Sequence, residues 1–408
     1  MKSIISLFPT FNILKLFFSR GIVLIANLLL TFLLVRYLGV AAKGAFSFFT
    51  NEVLFFFMFL QIIGGNSLIY LTQKFNSATL LAYFYSFILF FLILIDVPLL
   101  VFHQISIEVL VGAICMAVFY THLNLVVSRE KYETYSILQA LPSLIFLGIV
   151  LVNVFIINNL SVDYFIHFWV LVYFLMSILV VIFLKIKNVL QFKFSFKELL
   201  EILTIGFSNQ VSHLLNSLYM RVLFYFVAYT FTANELGNFS IAISIIEAML
   251  LLGQSYSLHF FTQTIHQKIS VINAFKKLKN SVLQVVLISI FLVGFVYFIP
   301  NSIFIYLLGN AALPALAYAK ILVFGLVFSN VFFLVSSFLN SYGKFWWVNF
   351  CLILQLFLLL IFYVFHFFLS FSMFDFCYYL TISPVFLVIF SSIGLLMFLK
   401  KENQILNF

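Results

Sequence analysis

The chain has 408 residues, 65% of them hydrophobic and only 8% charged, with a mean hydropathy of +1.22. No soluble domain of that size keeps its surface wet on such a composition, whereas lipid asks for no polar cover. The formal net charge of +9 is sorted along the chain in a way that argues for membrane topology and not for a nucleic-acid partner.

A helix needs about 20 apolar residues to cross the hydrocarbon core. Runs of that length predict six spans in the first half: Phe11 to Tyr37, Phe46 to Tyr70, Thr79 to Val101, Glu108 to Val127, Tyr135 to Ile157 and Tyr164 to Leu184. Six more follow, at Thr204 to Thr230, Asn238 to Phe260, Ser281 to Leu308, Pro314 to Asn340, Trp346 to Leu369 and Phe376 to Leu399. With the N-terminus in the cytoplasm, basic residues crowd the inner connections, among them Lys74, Arg129, Lys131, Lys276, Lys277, Lys279, Lys344, Lys400 and Lys401. The outer loops hold little besides Lys43. That asymmetry predicts cytoplasmic termini and an even number of spans. Lys2 and Lys15 precede a long apolar run with no small-residue cleavage site, so a retained first helix is expected. Cys115, Cys351 and Cys377 all fall inside apolar runs, which argues against a disulfide framework.

The expected fold is an all-α polytopic membrane protein of about twelve transmembrane helices in two six-helix lobes, residues 1–184 and 204–408. A basic cytoplasmic linker, residues 185–203, joins them. In its Lys185 to Lys197 stretch, Phe192, Phe194 and Phe196 alternate with polar neighbours, a pattern suited to lying along the headgroups. A second basic segment, Gln267 to Asn280, reads as an interfacial amphipathic turn. The halves also echo each other. Gly44-Ala45-Phe46-Ser47 recurs as Gly237-Asn238-Phe239-Ser240, an offset of 193 that also sets Ser19-Arg20 against Ser212-His213. Both copies begin on the same side, so the repeat is parallel, an arrangement common in transporters with a substrate path between two lobes.

Polar residues at membrane depth mark the candidate site, because a central charge costs about 2.5–3.5 kcal/mol on insertion scales. Arg221 lies near the middle of the seventh run. His213, Ser217 and Arg221 are spaced by four, so they stack on one helix face, with Asn209 close to the same stripe and Asn216 beside it. Glu247, at similar depth in the next run, is the natural counter-charge for Arg221. A structural ion pair and a substrate-facing role are both open for that couple. The first helix carries Arg20, Asn27 and Thr31 within a narrow arc. On the second, Ser47, Asn51 and Gln61 share a face, and on the eighth Ser240, Ser244, Glu247 and Gln254 do. Single serines in such stripes more often mediate packing. No phosphate-cradling loop, nucleophile motif or cluster with metal-ligand spacing occurs, so neither catalytic residues nor a metal or cofactor is expected.

Ser19-Arg20-Gly21-Ile22, Val35-Arg36-Tyr37-Leu38-Gly39 and Gly44-Ala45-Phe46-Ser47 resemble the opening of Wzx-type bacterial polysaccharide (O-antigen and capsule) flippases, of the multidrug/oligosaccharidyl-lipid/polysaccharide exporter superfamily. Arg221-Val222-Leu223-Phe224, Glu235-Leu236-Gly237-Asn238-Phe239-Ser240 and Ile305-Tyr306-Leu307-Leu308-Gly309 resemble the family's later runs, as does a helix ending in Asn340-Ser341-Tyr342-Gly343-Lys344. The resemblance implies a multi-pass protein of the bacterial inner membrane that flips an undecaprenyl-diphosphate-linked oligosaccharide to the outer leaflet by alternating access. It further implies a polysaccharide polymerase and a chain-length regulator as partners, and a proton or sodium gradient as the coupling left open. On that reading Arg20, Arg221 and His213 meet the diphosphate, since guanidinium forks suit phosphate oxygens. Asn27, Thr31, Asn209, Asn216, Ser217 and Gln254 meet sugar hydroxyls, and Glu247 serves as ion-pair or coupling residue. Two rivals stay open: a small-molecule or drug cation antiporter of the same superfamily, and a membrane-embedded polymerase or glycosyltransferase. Short, nearly uncharged outer loops disfavour the second.

Overall fold

The structure is a computed structural model, which describes residues 11–406 apart from 66–67, 69–70, 73, 102–104, 130, 158–160, 185–194 and 267–268. Among the described residues the secondary structure is helical throughout, and twelve helices are long and apolar enough to cross a membrane. We label them α1 (Phe11–Leu38), α2 (Val40–Gly64), α3 (Ser77–Val101), α4 (Ile107–Ser128), α5 (Tyr132–Ile157) and α6 (Val162–Leu184). The second half supplies α7 (Phe196–Thr230), α8 (Ala233–His266), α9 (Val271–Tyr297), α10 (Leu313–Ser341), α11 (Phe345–Leu369) and α12 (Met373–Leu406). The linker stretch 185–194 lies outside the described residues.

Several boundaries differ from the hydropathy reading for physical reasons. A single residue, Gly39 at φ 90°, separates α1 from α2, so α2 starts at Val40 rather than Phe46. Lys43, expected in an outer loop, therefore sits in the first turns of a spanning helix and is buried. The ninth span ends at Tyr297, ahead of Pro300, and a separate short helix, Asn301–Leu308, follows. Proline lacks an N–H and disfavours helix in the residue before it, which accounts for the break. Lys276, Lys277 and Lys279 belong to the same continuous helix as the ninth span. α7 has 35 residues, about 52 Å at 1.5 Å per residue, so its first turns must leave the hydrocarbon.

Contacts divide the chain into two compact units: Met1–Leu33 with Ala45–Phe224, and Leu34–Gly44 with Tyr225–Phe408. In the first unit, α2, α3 and α4 enclose an aromatic-rich core that includes Val53, Leu60, Ile63, Tyr83 and Phe84. Polar groups inside it are satisfied locally. Gln61 donates to the Ala117 carbonyl (3.1 Å) and the Thr121 hydroxyl (3.2 Å), and Asn124 donates to the Gly64 carbonyl (2.9 Å). His122, 2% exposed, has Nδ1 against the Val118 carbonyl (2.8 Å) and Nε2 against the Tyr85 hydroxyl (3.3 Å). The emergent start of α7 is tied to this unit by polar contacts. Tyr83 donates to Glu198 (3.0 Å), and Lys74 pairs with Glu201 (3.3 Å). In the second unit α8, α10 and α12 pack closely, and Gln355 donates to Ser383 (3.0 Å) between α11 and α12.

Without a hydrophobic force between helices in lipid, close packing has to come from small residues. A Cβ on Gly206 of α7 would stand 2.5 Å from the Ile62 carbonyl oxygen of α2, so backbone meets backbone there. Gly206→Ala should cost roughly 1–3 kcal/mol, read as a lower melting temperature of the purified protein. Gly148→Ala, whose Cβ would meet nothing within 4 Å, should melt like the parent.

Candidate functional site

The site is built around the middle of α7. His213, Ser217 and Arg221 lie on the part of that helix hydrophobic enough to span, Val211–Thr230. Arg221 is half-buried. Its Nη1 donates to the Oδ1 of Asn51 on α2, and the Asn51 Nδ2 donates back to the Arg221 carbonyl (3.4 Å). Asn51 is 1% exposed and belongs to the same unit as Arg221. The carboxamide thus holds both the guanidinium and the backbone of its residue, which fixes where the cation stands. The acceptor is an uncharged carboxamide, which orients the guanidinium without itself carrying an opposite charge.

His213 and Asn216 are exposed on α7, within its spanning part, and Ser217 is half-buried beside them. Elsewhere the exposed positions of the spans are overwhelmingly apolar, as with Phe155, Ile182 and Phe291 at 65%, 64% and 73% exposure. Polar exposure at membrane depth belongs to a surface that meets water, since lipid would penalise it. The face His213–Asn216–Ser217–Arg221 has that character.

The other expected residues divide. Asn27 is exposed, whereas Thr31, a turn later on α1, is 4% exposed and donates to the Asn27 carbonyl (2.9 Å). Its hydroxyl donor is therefore spent within the helix. On α8, Ser240 donates to the Gly237 carbonyl and Ser244 to the Ser240 carbonyl, each at 2.8 Å, while Gln254 is half-buried and Glu247 exposed. The two serines pack, and the carboxylate is the exposed group of the stripe. Arg20 lies on α1 and Asn209 on α7, but their side chains fall outside the described residues.

Two residues outside the expected set join this chemistry. Asn51 holds Arg221, and Lys43, 8% exposed, lies within electrostatic reach of the Glu247 carboxylate inside the second unit. Depth counting carries a signal for Asn51. It stands twelve residues past Gly39, and Arg221 ten before Phe231, so both lie about 15–18 Å from their turns. Glu247, fourteen residues past the start of α8 at Ala233, lies deeper, at about 21 Å.

Asn51→Leu should therefore destabilise the purified protein by roughly 1.5–3 kcal/mol, because a buried charged donor loses its acceptor. Asn51→Asp, which keeps an oxygen at that point, should retain most of the melting temperature.

No family profile matches the sequence, and no curated protein does. Solved structures do match. The lipid II flippase MurJ in an inward closed conformation gives a TM-score of 0.70 at 14% identity, over 94% of this chain and 86% of that one. An inward-facing multidrug resistance MATE family transporter of the MOP superfamily gives 0.71 at 14% identity, over 91% and 92%. A MOP superfamily transporter from Pyrococcus furiosus, described as having a binding pocket of reverse polarity, gives 0.62 at 12%, over 95% and 94%. Likeness at such identity concerns architecture: this chain has the fold shared by the flippase MurJ and the MATE transporters.

Proposed function

We propose that this protein is a flippase that carries a polyprenyl-diphosphate-linked oligosaccharide across the bacterial cytoplasmic membrane for surface polysaccharide synthesis, by alternating access and without covalent chemistry. The observation that carries the proposal is the guanidinium of Arg221 at mid-span, oriented by a neutral carboxamide on a face that also exposes His213 and Asn216. A diphosphate needs cationic forked donors inside the membrane, and an arginine held at mid-span by a carboxamide supplies one. Arg20 is assigned the second fork. Asn27, Asn209, Asn216, Ser217 and Gln254 are assigned to sugar hydroxyls, with Thr31 supporting Asn27. Glu247, with Lys43 in reach, is assigned to coupling with a proton or sodium gradient. The fold supports the reading, since one protein that shares it is a lipid flippase.

The rival reading is a small-molecule or drug cation antiporter, favoured by the equal likeness to MATE transporters and by the exposed carboxylate of Glu247 within its span. The two differ in the sign of the group the site must hold. Arg221→Ala and Arg20→Ala should each lower export of lipid-linked glycan at least tenfold in cells, with normal amounts of protein in the membrane. Normal surface glycan in both variants, together with organic-cation resistance that falls in Glu247→Gln, would favour the antiporter. Loss of folded protein in Arg221→Ala, restored by adding Glu247→Gln, would mean a structural ion pair.

A further inference from the structure

The second unit gathers its basic residues at one end, the end expected to face the cytoplasm from the charge pattern. Lys276, Lys277 and Lys279 lie in the opening turns of α9, Lys344 directly precedes α11, and Lys400 closes the spanning part of α12. α9 has 27 residues, about 40 Å, against a hydrocarbon core of about 30 Å, so its lysines stand at headgroup level. Beneath them Phe275, Phe338 and Phe398, from α9, α10 and α12, form a row of rings with centroids 6.4 and 6.3 Å apart. An ammonium sits at each end of the row. Lys279 Nζ is 4.9 Å from the Phe275 centroid, and Lys344 Nζ is 5.2 Å from that of Phe398. Each ring face orients its ammonium without bringing a negative charge of its own.

An excess of cations on the inner side is general in membrane proteins, so position alone does not make a site. Two observations set this group apart. In the first unit, Glu133, Glu198 and Glu201 are interspersed among the bases of the corresponding end, and Lys74 pairs with Glu201 (3.3 Å). In the second, no Asp or Glu occurs between Glu247 and Asp375, a stretch that contains Lys276, Lys277, Lys279 and Lys344. Among the described residues none of these four lysines has a carboxylate partner; the side chain of Glu402, beyond Lys400, lies outside them. The second observation is what continues the cationic face. Lys276, Lys279, Leu283, Leu287 and Ile290 recur at steps of three and four, so they share one face of α9. Leu283, Leu287 and Ile290 are 60%, 60% and 57% exposed. That face is cationic at headgroup level and apolar below it, which matches a phospholipid from phosphate to acyl chain. A soluble polyanion would meet the charges and gain nothing from the apolar continuation.

We propose that this face of α9 binds an anionic phospholipid of the adjacent leaflet, with Lys276 and Lys279 meeting its phosphate and Leu283, Leu287 and Ile290 its acyl chain. Lys277 and Lys344 add to the positive field at the same end. A lysine beside an anionic membrane surface is worth about fivefold in binding, so two on one helix face make a measurable preference. Such a lipid is a resident of the protein whatever the protein carries, and the inference is independent of the flippase reading.

The test maps lipid contacts on the full chain in bilayers. Phosphatidylglycerol and phosphatidylcholine, each carrying a diazirine in the acyl chain, are added at the same share to phosphatidylcholine vesicles holding the purified protein. After illumination, the cross-linked residues are located by peptide mass spectrometry. The phosphatidylglycerol probe should label the Leu283–Ile290 stretch several-fold more than the phosphatidylcholine probe does. On α3, Leu89 and Phe90 are 59% and 60% exposed, and the base ahead of that helix, Lys74, is already paired, so the two probes should label there alike. Lys276→Gln with Lys279→Gln should bring the ratio on α9 close to one, whereas Lys74→Gln should leave it unchanged. Equal labelling of α9 by the two probes in the unaltered protein would overturn the proposal, and that arm needs no variant to fold. A preference that survives the double substitution would overturn it too. So would loss of the preference in inorganic phosphate at matched ionic strength, since the site would then take a free anion and not a lipid.

Discussion

A guanidinium in the middle of a bilayer is the constraint around which this protein is arranged. Leaving it there costs about 2.5–3.5 kcal/mol by insertion scales, so it persists only where polar partners or water receive it. Asn51 supplies the partner, buried on α2 and bonded to both the side chain and the backbone of Arg221. A carboxylate in that place would cancel the charge. A carboxamide positions it without adding an opposite charge of its own.

The same economy of polar groups runs through the rest of the molecule. Gln61, Thr121, Asn124 and His122 hydrogen-bond within the first unit, and Ser240 and Ser244 donate along their own helix. Among the described residues, His213, Asn216, Asn27 and Glu247 are polar and exposed within the spanning helices. Where helices need to approach closely, glycine does the work that hydrophobic collapse does in water. Among the described residues, Gly253 against Asn330, Gly64 against Thr121 and Gly237 against Val40 are the tightest instances, with Gly206 against Ile62 next.

The twelve spans could be read from the chain because length and hydropathy are the physical requirements for crossing a bilayer, and lipid imposes them locally. Hydropathy puts Lys43 in a loop because Lys43 and Gly44 interrupt the apolar run ahead of Phe46, whereas the turn is the single residue Gly39 and the helix starts at Val40. Hydropathy extends the ninth span past Pro300, because Ile303, Phe304 and Ile305 continue the apolar pattern and hydropathy is blind to the missing N–H. Arg221 announced itself by its cost. Its bond to Asn51 did not, since it joins residues 170 apart and the register of α2 against α7 is set by packing at sites such as Gly206. The glycine echo was legible as a repeat, while the close approach of Gly44 to Gly237 needed coordinates.

The sign of the cargo is the central claim, and reconstitution reads it directly. Purified protein in liposomes, given a fluorescent polyprenyl-diphosphate-linked sugar in one leaflet, should move it to the other faster than protein-free vesicles do. An excess of unlabelled polyprenyl diphosphate should compete, and organic cations should not. Vesicles that leave the lipid-linked sugar in place but exchange organic cations for protons or sodium would contradict the account.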